Sequence, residues 1–222
     1  MATKRIMADI RELENDLYKS SGIYYIPTES DLFHGYACIF GPKDSCYEGC
    51  PMVYEVSLPS TYPFDPPTLK FLTYDGKTRF HPNMYVEGRV CLSILHTWQG
   101  PKWASTMKIS TVLVTLQSLM DADPLRHEPS FEKGRHDACK AYANVVKASC
   151  INYQLFCLEN PITHKGPDIF KELIREKILE NIGALENFCN SLEEIQEHLL
   201  SYSMRNSWKK EDLLRRIRKL KG

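Results

Sequence analysis

At 222 residues, 43% of them hydrophobic, the chain is long enough for one well-buried domain with an appended element and short for two full domains. Its 28 Lys and Arg balance 28 Asp and Glu, which excludes the overall basic balance of nucleic-acid binders and an acidic-tail design, so partners must be chosen by local patches. The opening MATKRIMADIRELENDL is charged throughout, and nowhere does an apolar run approach the roughly 20 residues of a bilayer span, so a cytosolic or nuclear protein without membrane or nucleic-acid partners is expected.

Ile6, Ile10, Leu13 and Leu17 recur at helical spacing and predict a first helix with one apolar stripe. Phe33 to Phe40 and Met52 to Leu58 change to β-branched and aromatic runs around the turn-rich GPKDSCYEGCP, which predicts an antiparallel hairpin. In PSTYPFDPPTLKFL, the density of Pro63, Pro66 and Pro67 rules out a central strand and predicts an ordered crossing loop before another apolar run. From Tyr74 to Met107 no regular period holds, and turn residues at Asp75-Gly76, Pro82-Asn83, Gly88 and Gly100-Pro101 mark a long functional loop.

Ile109, Val112, Leu113, Leu116, Leu119 and Met120 then follow helical spacing up to Asp123-Pro124. A third helix is expected from near Phe131, with Tyr142, Val145, Val146, Ser149 and Tyr153 on one face and its end before Pro161. Beyond it, Ile169, Leu173, Ile178, Ile182, Leu185 and Phe188 predict another amphipathic helix, continued by Leu192, Ile195, Leu199 and Leu200. The last turns place Leu213, Leu214, Ile217 and Leu220 among Lys and Arg, read as a solvated basic face rather than a partner patch. A division follows: a core domain over 1–160 and a helical extension over 161–222.

Eight cysteines lack the paired spacing of a disulfide framework, so free thiols in a reducing compartment are expected. Cys46 and Cys50 have no second close Cys or His pair to complete the four ligands of a structural zinc, so neither metal nor cofactor is expected. Most free cysteines are small apolar packers, and Cys38, Cys150 and Cys157 sit in apolar strand or helix patterns that suit this. Cys91 is different: it lies eight residues after Asn83, in HPNMYVEGRVCLSIL.

HGYACIFGPKDSCYEG, YPFDPP, HPN, VCLSIL and a later Trp, in this order, resemble the catalytic domain of ubiquitin-conjugating enzymes. The resemblance covers roughly residues 1 to 160. It implies an α+β fold, the UBC fold: an N-terminal helix, a four-stranded antiparallel meander, an active-site loop, and central and C-terminal helices, here with a helical extension. It also implies that Cys91 accepts the carboxyl end of ubiquitin, or of a ubiquitin-like protein, from an activating enzyme as a thioester, which a lysine amine then attacks. The ILxTWxGPxW form of residues 94–103 and DPxxxEPSFE are more similar to the larger Z-type members.

A thiol of ordinary pKa near 8.5 is a few per cent thiolate at pH 7 and strongly nucleophilic, so Cys91 needs little activation. A lysine near pKa 10.4 is deprotonated to only about one part in 2,500, a handicap of roughly 4 to 5 kcal/mol. The harder task is preparing the amine. The resemblance makes Asn83 the donor to the oxyanion, although a Pro-Asn turn also holds its own backbone. It makes His81 a buttress of the loop, despite a free pKa that suits a general base.

Simple members carry an acid in an NPxDPL-like loop, whereas this chain has MDADPLRHEPSFE. The resemblance makes Asp121, Asp123 and His127 the candidates for orienting the lysine, with Arg126 and Glu128 beside them, although Asp123-Pro124 also suffices as a plain helix stop. Lys4 and Arg5 match the region that meets the activating enzyme, Phe64 matches the aromatic that docks into ligases, and Trp103 begins an altered ligase-facing segment without its usual proline. Ubiquitin, activating enzyme, ligases and protein substrates are the implied partners. Two readings of other classes stand beside this one. A non-conjugating binding module of the same fold would lack the cysteine that Cys91 supplies, and a scaffold would use the C-terminal helices to oligomerise.

Overall fold

The computed structural model describes residues 2–73, 75–160 and 167–221. The 160/161 boundary, Pro161 and Tyr74 touch positions outside the described residues.

The first amphipathic stripe folds as two helices, α1 (Ala2–Leu13) and α2 (Asp16–Ser20). Asn15 leaves helical geometry and its side chain accepts the Leu17 N–H at 2.9 Å, an N-cap that starts a new helix. This turns Leu17 into solvent, 67% exposed, so the expected stripe ends at Leu13.

The sheet is a meander of β1 (Ile23–Thr28), β2 (Asp31–Phe40), β3 (Pro51–Ser57) and β4 (Thr68–Phe71), all antiparallel neighbours in chain order. Pro27 fits in β1 because an edge strand has N–H groups to spare, and the register slips there between Pro27 and Thr28. Central β2 and β3 pair Ala37 with Tyr54 and Ile39 with Met52, all buried. Between β3 and β4 the proline loop is pinned from beneath. Buried Asp9 on α1 takes the Tyr62 hydroxyl, pairs with Arg5 Nε at 2.8 Å and accepts the Ile109 N–H at 3.4 Å. One carboxylate thus ties α1 and the loop to the start of α3 (Ile109–Ser118).

The third predicted helix, α4 (His136–Glu159), starts five residues later than Phe131. Ser130, Gly134 and Arg135 have φ of 76°, 73° and 50°, values incompatible with a right-handed helix. The face expected to be buried is buried, but so are Cys139, Cys150, Ile151 and Leu155. Cys150 lies against Cys50 and Cys139 beside Asp123 and Arg126, while helices from the extension, α5 (Lys171–Glu180), α6 (Ile182–Asn190) and α7 (Lys210–Lys221), all pack on α4 as well. The single predicted tail helix splits at Asn181, whose φ and ψ of −110° and 20° are non-helical. Residues 191–209 form no α-helix, only one 3-10 turn at Glu197–Leu199, although Leu192 is buried as its spacing suggested. The basic face of α7 meets its own chain: Arg216 grips Glu159 at 2.7 and 2.9 Å, and Arg218 and Lys221 share Glu186. No helix among the described residues is long and apolar enough to cross a membrane.

Candidate active site

The loop after β4 carries HPN and Cys91, and it is stitched to the sheet edge. Phe71 N–H donates to the Gly88 carbonyl at 2.7 Å, while Lys70 bridges to Arg89 and Met84 to Val90. Gly88 has φ of 94°, and a Cβ there would stand 2.9 Å from the Phe71 carbonyl oxygen, so this crossing needs glycine. The turn from Tyr85 to Arg89 doubles the chain back and sets Cys91 against Asn83. Cys91 N–H donates to the Asn83 carbonyl at 2.8 Å, and Asn83 Nδ2 donates to the Cys91 carbonyl at 2.6 Å. An amide NH2 has two hydrogens, and this pairing uses one.

His81 is fully buried, and its Nδ1 accepts the Asn83 N–H at 3.0 Å. An accepting Nδ1 puts the proton on Nε2, which is buried and makes no hydrogen bond of good geometry among the described residues. Burial above all, with the neighbouring His127 imidazole and Arg79 guanidinium adding to it, pushes the His81 pKa down to about 3. At neutral pH it is an uncharged prop beneath Asn83, with its one lone pair engaged.

Burial does not distinguish the eight cysteines, because all are covered, Cys91 included at 3% exposure. Burial pushes the Cys38, Cys46, Cys150 and Cys157 thiols well up, which suits packing, not reaction. No group of three or more His, Cys, Asp and Glu forms a metal site among the described residues.

The segment after Cys91 is tied to both of its neighbours. Thr97 Oγ1 accepts the Leu92 N–H at 2.9 Å and lies 3.0 Å from the Val90 carbonyl, which it can donate to. His96 takes φ of 59°, and Gly100 sits so near Ser93 that a Cβ would approach its Cβ to 3.1 Å. The folded-back loop leaves Trp98 46% exposed.

The carboxylate loop separates the three residues expected to receive lysine. His127 Nε2 bonds Asp121 Oδ2 at 2.8 Å, and the His127 ring lies 5.1 Å from that of His81. Burial pushes the Asp121 pKa up, but hydrogen bonds from His127 and the Asp123 N–H outweigh it and hold the carboxyl below its ordinary value. An ionised Asp121 can only accept, so Nε2 donates to it, and in the neutral form of the ring Nδ1 then keeps its lone pair. Asp123 instead pairs with Arg126 at 2.8 Å. Both line a cavity of about 420 Å³ with Cys46, Asn144 and Lys147, which neither Cys91 nor Asn83 lines. Arg126 thus claims the Asp123 carboxylate.

Among the partner residues, Lys4 is exposed and Phe64 stands 69% exposed on the proline loop. Arg5 is spent internally, on Asp9 and on the Ser105 and Met107 carbonyls at 3.1 and 2.5 Å. Trp103 corrects the expectation of a contact surface: it is buried, and its Nε1 donates to the Pro63 carbonyl at 2.7 Å, holding the Phe64 loop from behind.

Several residues at the site carry no sequence signal. Arg79 sends Nη2 to the Pro82 carbonyl at 2.5 Å and lies 3.6 Å from the Tyr85 ring centroid. Tyr202, from the extension, stacks on the same guanidinium at 4.5 Å and donates to Glu128. Their spacing along the chain follows no motif, and the irregular path of residues 191–209 hides where their side chains land.

Residues 5–149 match the ubiquitin-conjugating enzyme family. "Ubiquitin-conjugating enzyme E2 Z" of Xenopus tropicalis is 34% identical over 187 residues, which cover 83% of this chain and 59% of that protein. The human protein of that name is 41% identical over 133 residues, covering 60% of this chain and 37% of it. "Probable ubiquitin-conjugating enzyme protein 17" of Caenorhabditis elegans is 33% identical over 209 residues, 85% of this chain and 28% of that protein. The chain thus spans well under two thirds of the length of these relatives. A solved Toxoplasma gondii ubiquitin-conjugating E2 domain superposes with a TM-score of 0.53 at 23% identity, over 68% of this chain and 98% of that one, and supports the fold.

Proposed function

The chain belongs to the ubiquitin-conjugating enzyme family, and from that premise we propose that Cys91 accepts ubiquitin or a ubiquitin-like protein from an activating enzyme and passes it to lysine amines, alone or with a ligase. Residues 1–160 serve as the catalytic unit and 161–222 as an extension. The observation that carries the reading is the reciprocal pairing of Asn83 with the Cys91 backbone, which puts an amide donor beside the one cysteine on the HPN loop.

In the first step the Cys91 thiolate attacks the activating enzyme's thioester carbonyl and expels that enzyme's thiolate. In the second, a lysine amine attacks the Cys91 thioester. Negative charge gathers on the carbonyl oxygen, and the second N–H of Asn83 is free to meet it. The tetrahedral adduct collapses to an isopeptide bond and releases the Cys91 thiolate. The amine's proton goes to His127 Nδ1, since Asp121 holds the ring by Nε2 and stabilises the imidazolium that forms. His81 keeps Asn83 in place and takes no proton. Phe64 is the docking point for a ligase, and exposed Lys4 remains for the activating enzyme, while Arg5 shapes that surface from within. Eight unbridged thiols support a reducing location, cytosol or nucleus.

The test mixes the protein with activating enzyme, ATP and ubiquitin or ubiquitin-like proteins and looks for a reductant-sensitive adduct. Cys91→Ser is expected to give a more stable ester or none. An adduct of unchanged lability in Cys91→Ser, or none in wild type, overturns the reading.

A further inference from the structure

Residues 201–208 of the extension lie against the chain that leads into HPN. Met204 Sδ accepts the Arg79 N–H at 3.3 Å, and Lys77 sits 4.3 Å from the Trp208 ring centroid. At the centre is Tyr202. Its ring has the Arg79 guanidinium at 4.5 Å, with Tyr85 against that same guanidinium at 3.6 Å, while its hydroxyl reaches the Glu128 carboxylate. Tyr142 supports the arrangement from α4: its ring meets Tyr202 edge-on at 5.8 Å, and its hydroxyl donates to the Arg79 carbonyl at 2.6 Å. Tyr202 and Ser203 hold φ of 59° and 55°, a left-handed path that ordinary residues keep only where their surroundings enforce it.

Arg79 and Glu128 belong to different walls of the site. Arg79 is bound to the Pro82 carbonyl, between His81 and Asn83. Glu128 follows His127, the partner of Asp121. We propose that Tyr202 is a positioning residue for lysine transfer, a clamp by which the C-terminal extension sets the Asn83 loop and the Asp121–His127 loop relative to each other. This deepens the conjugating reading and rests on it. The amine must meet the thioester, the Asn83 amide and the His127 nitrogen at once, and small misplacements of such groups are costly in rate. Loading needs only the thiol, because thioester exchange between two cysteines has no proton to remove from an ammonium. A clamp on the two walls therefore acts on discharge more than on loading.

The experiment compares full-length wild type with Tyr202→Ala, Tyr202→Phe and Glu128→Ala. Thioester formation is timed first. The loaded protein is then freed of activating enzyme and chased with free lysine, and amide hydrogen exchange is measured at Asn83 and Cys91. Tyr202→Ala and Glu128→Ala are expected to slow discharge about tenfold with loading changed less than about twofold. Both are expected to speed exchange at the two amides. Tyr202→Phe keeps the ring on Arg79 but severs the link to Glu128, so it is expected to slow discharge about tenfold, as Glu128→Ala does, again with loading changed less than about twofold. If Tyr202→Ala does not fold, Glu128→Ala and Tyr202→Phe carry the comparison. Discharge and exchange unchanged in the variants overturn the clamp, as does an equal loss of loading and discharge. A wild type that takes no thioester defeats the conjugating reading, whereas the exchange measurement still decides whether Tyr202 holds the loop.

Discussion

Replacing Asn83 separates its two jobs. Asn83→Ala removes the 2.6 Å hydrogen bond to the Cys91 carbonyl, in a half-buried place where a lost bond costs about 1 kcal/mol of stability. If holding the loop were its whole contribution, the rate of discharge would fall by no more than about tenfold, the kinetic equivalent of some 1.4 kcal/mol. The second N–H adds the larger effect, since one donor to an oxyanion is worth roughly 3 to 4 kcal/mol, or about 10²- to 10³-fold. Single-turnover discharge of preformed thioester to free lysine, with urea unfolding of the same variant, reads both quantities. The expected result is a discharge loss of at least about a hundredfold beside a stability loss near 1 kcal/mol. Asn83→Asp keeps the shape but offers no donor and faces the Cys91 carbonyl with a charge, so it is expected to be no better than Asn83→Ala. A discharge loss under about tenfold in Asn83→Ala would refute the oxyanion argument and leave Asn83 as a loop-holding residue.

His81 titrates near 3 in the folded chain against 6.5 ordinarily, so between those values the unfolded chain binds more protons. Its contribution is complete above pH 6.5 and is lost as pH falls toward 3, about 2 kcal/mol of it by pH 5. Its imidazole resonances are expected to hold still from pH 8 to 5, and a midpoint near 6.5 would show that the ring reaches water. His127→Gln removes the proposed proton acceptor, so lysine discharge at pH 7 is expected to fall about a hundredfold and loading to stay within about twofold. Equal discharge across the pH range by variant and wild type removes His127 from the chemistry. Asp9→Ala strands Arg5 and the Tyr62 hydroxyl and takes the carboxylate from the start of α3, which is expected to cost roughly 3 kcal/mol in urea unfolding, and a loss below about 1 kcal/mol contradicts the pin described above.

Much of this protein was legible along the chain, because the signals involved are local. Helical spacing found α1, α3 and α7, strand patterning found the hairpin of β2 and β3, and the prolines marked a crossing loop. Cys91, Asn83 and His81 stood out through a motif set that resembles the conjugating family and lies in one short segment, where sequence distance and spatial distance nearly agree. The edge strand β1 escaped because IYYIPT is brief and carries a proline next to its end. Helix breaks at Asn15 and Asn181 escaped because a single residue's dihedral angles decide them and the apolar period runs on regardless.

Only the tertiary structure decided which charged side chains were free. Asp123 read as a candidate for orienting the lysine until Arg126 was seen to claim its carboxylate, and Arg5 and Trp103 read as surface until the Ser105, Met107 and Pro63 carbonyls were found beside them. The approach of Tyr202 to Arg79 and Glu128 spans more than seventy residues of chain. Such a contact depends on how α4 and the extension pack, a property of the assembled core that no local period encodes. The sequence by itself marked Cys91 and the HPN loop as the candidate site, since both are set by neighbours in the chain. The folded protein decided what surrounds that loop, since burial and pairing of charges depend on elements far apart in sequence.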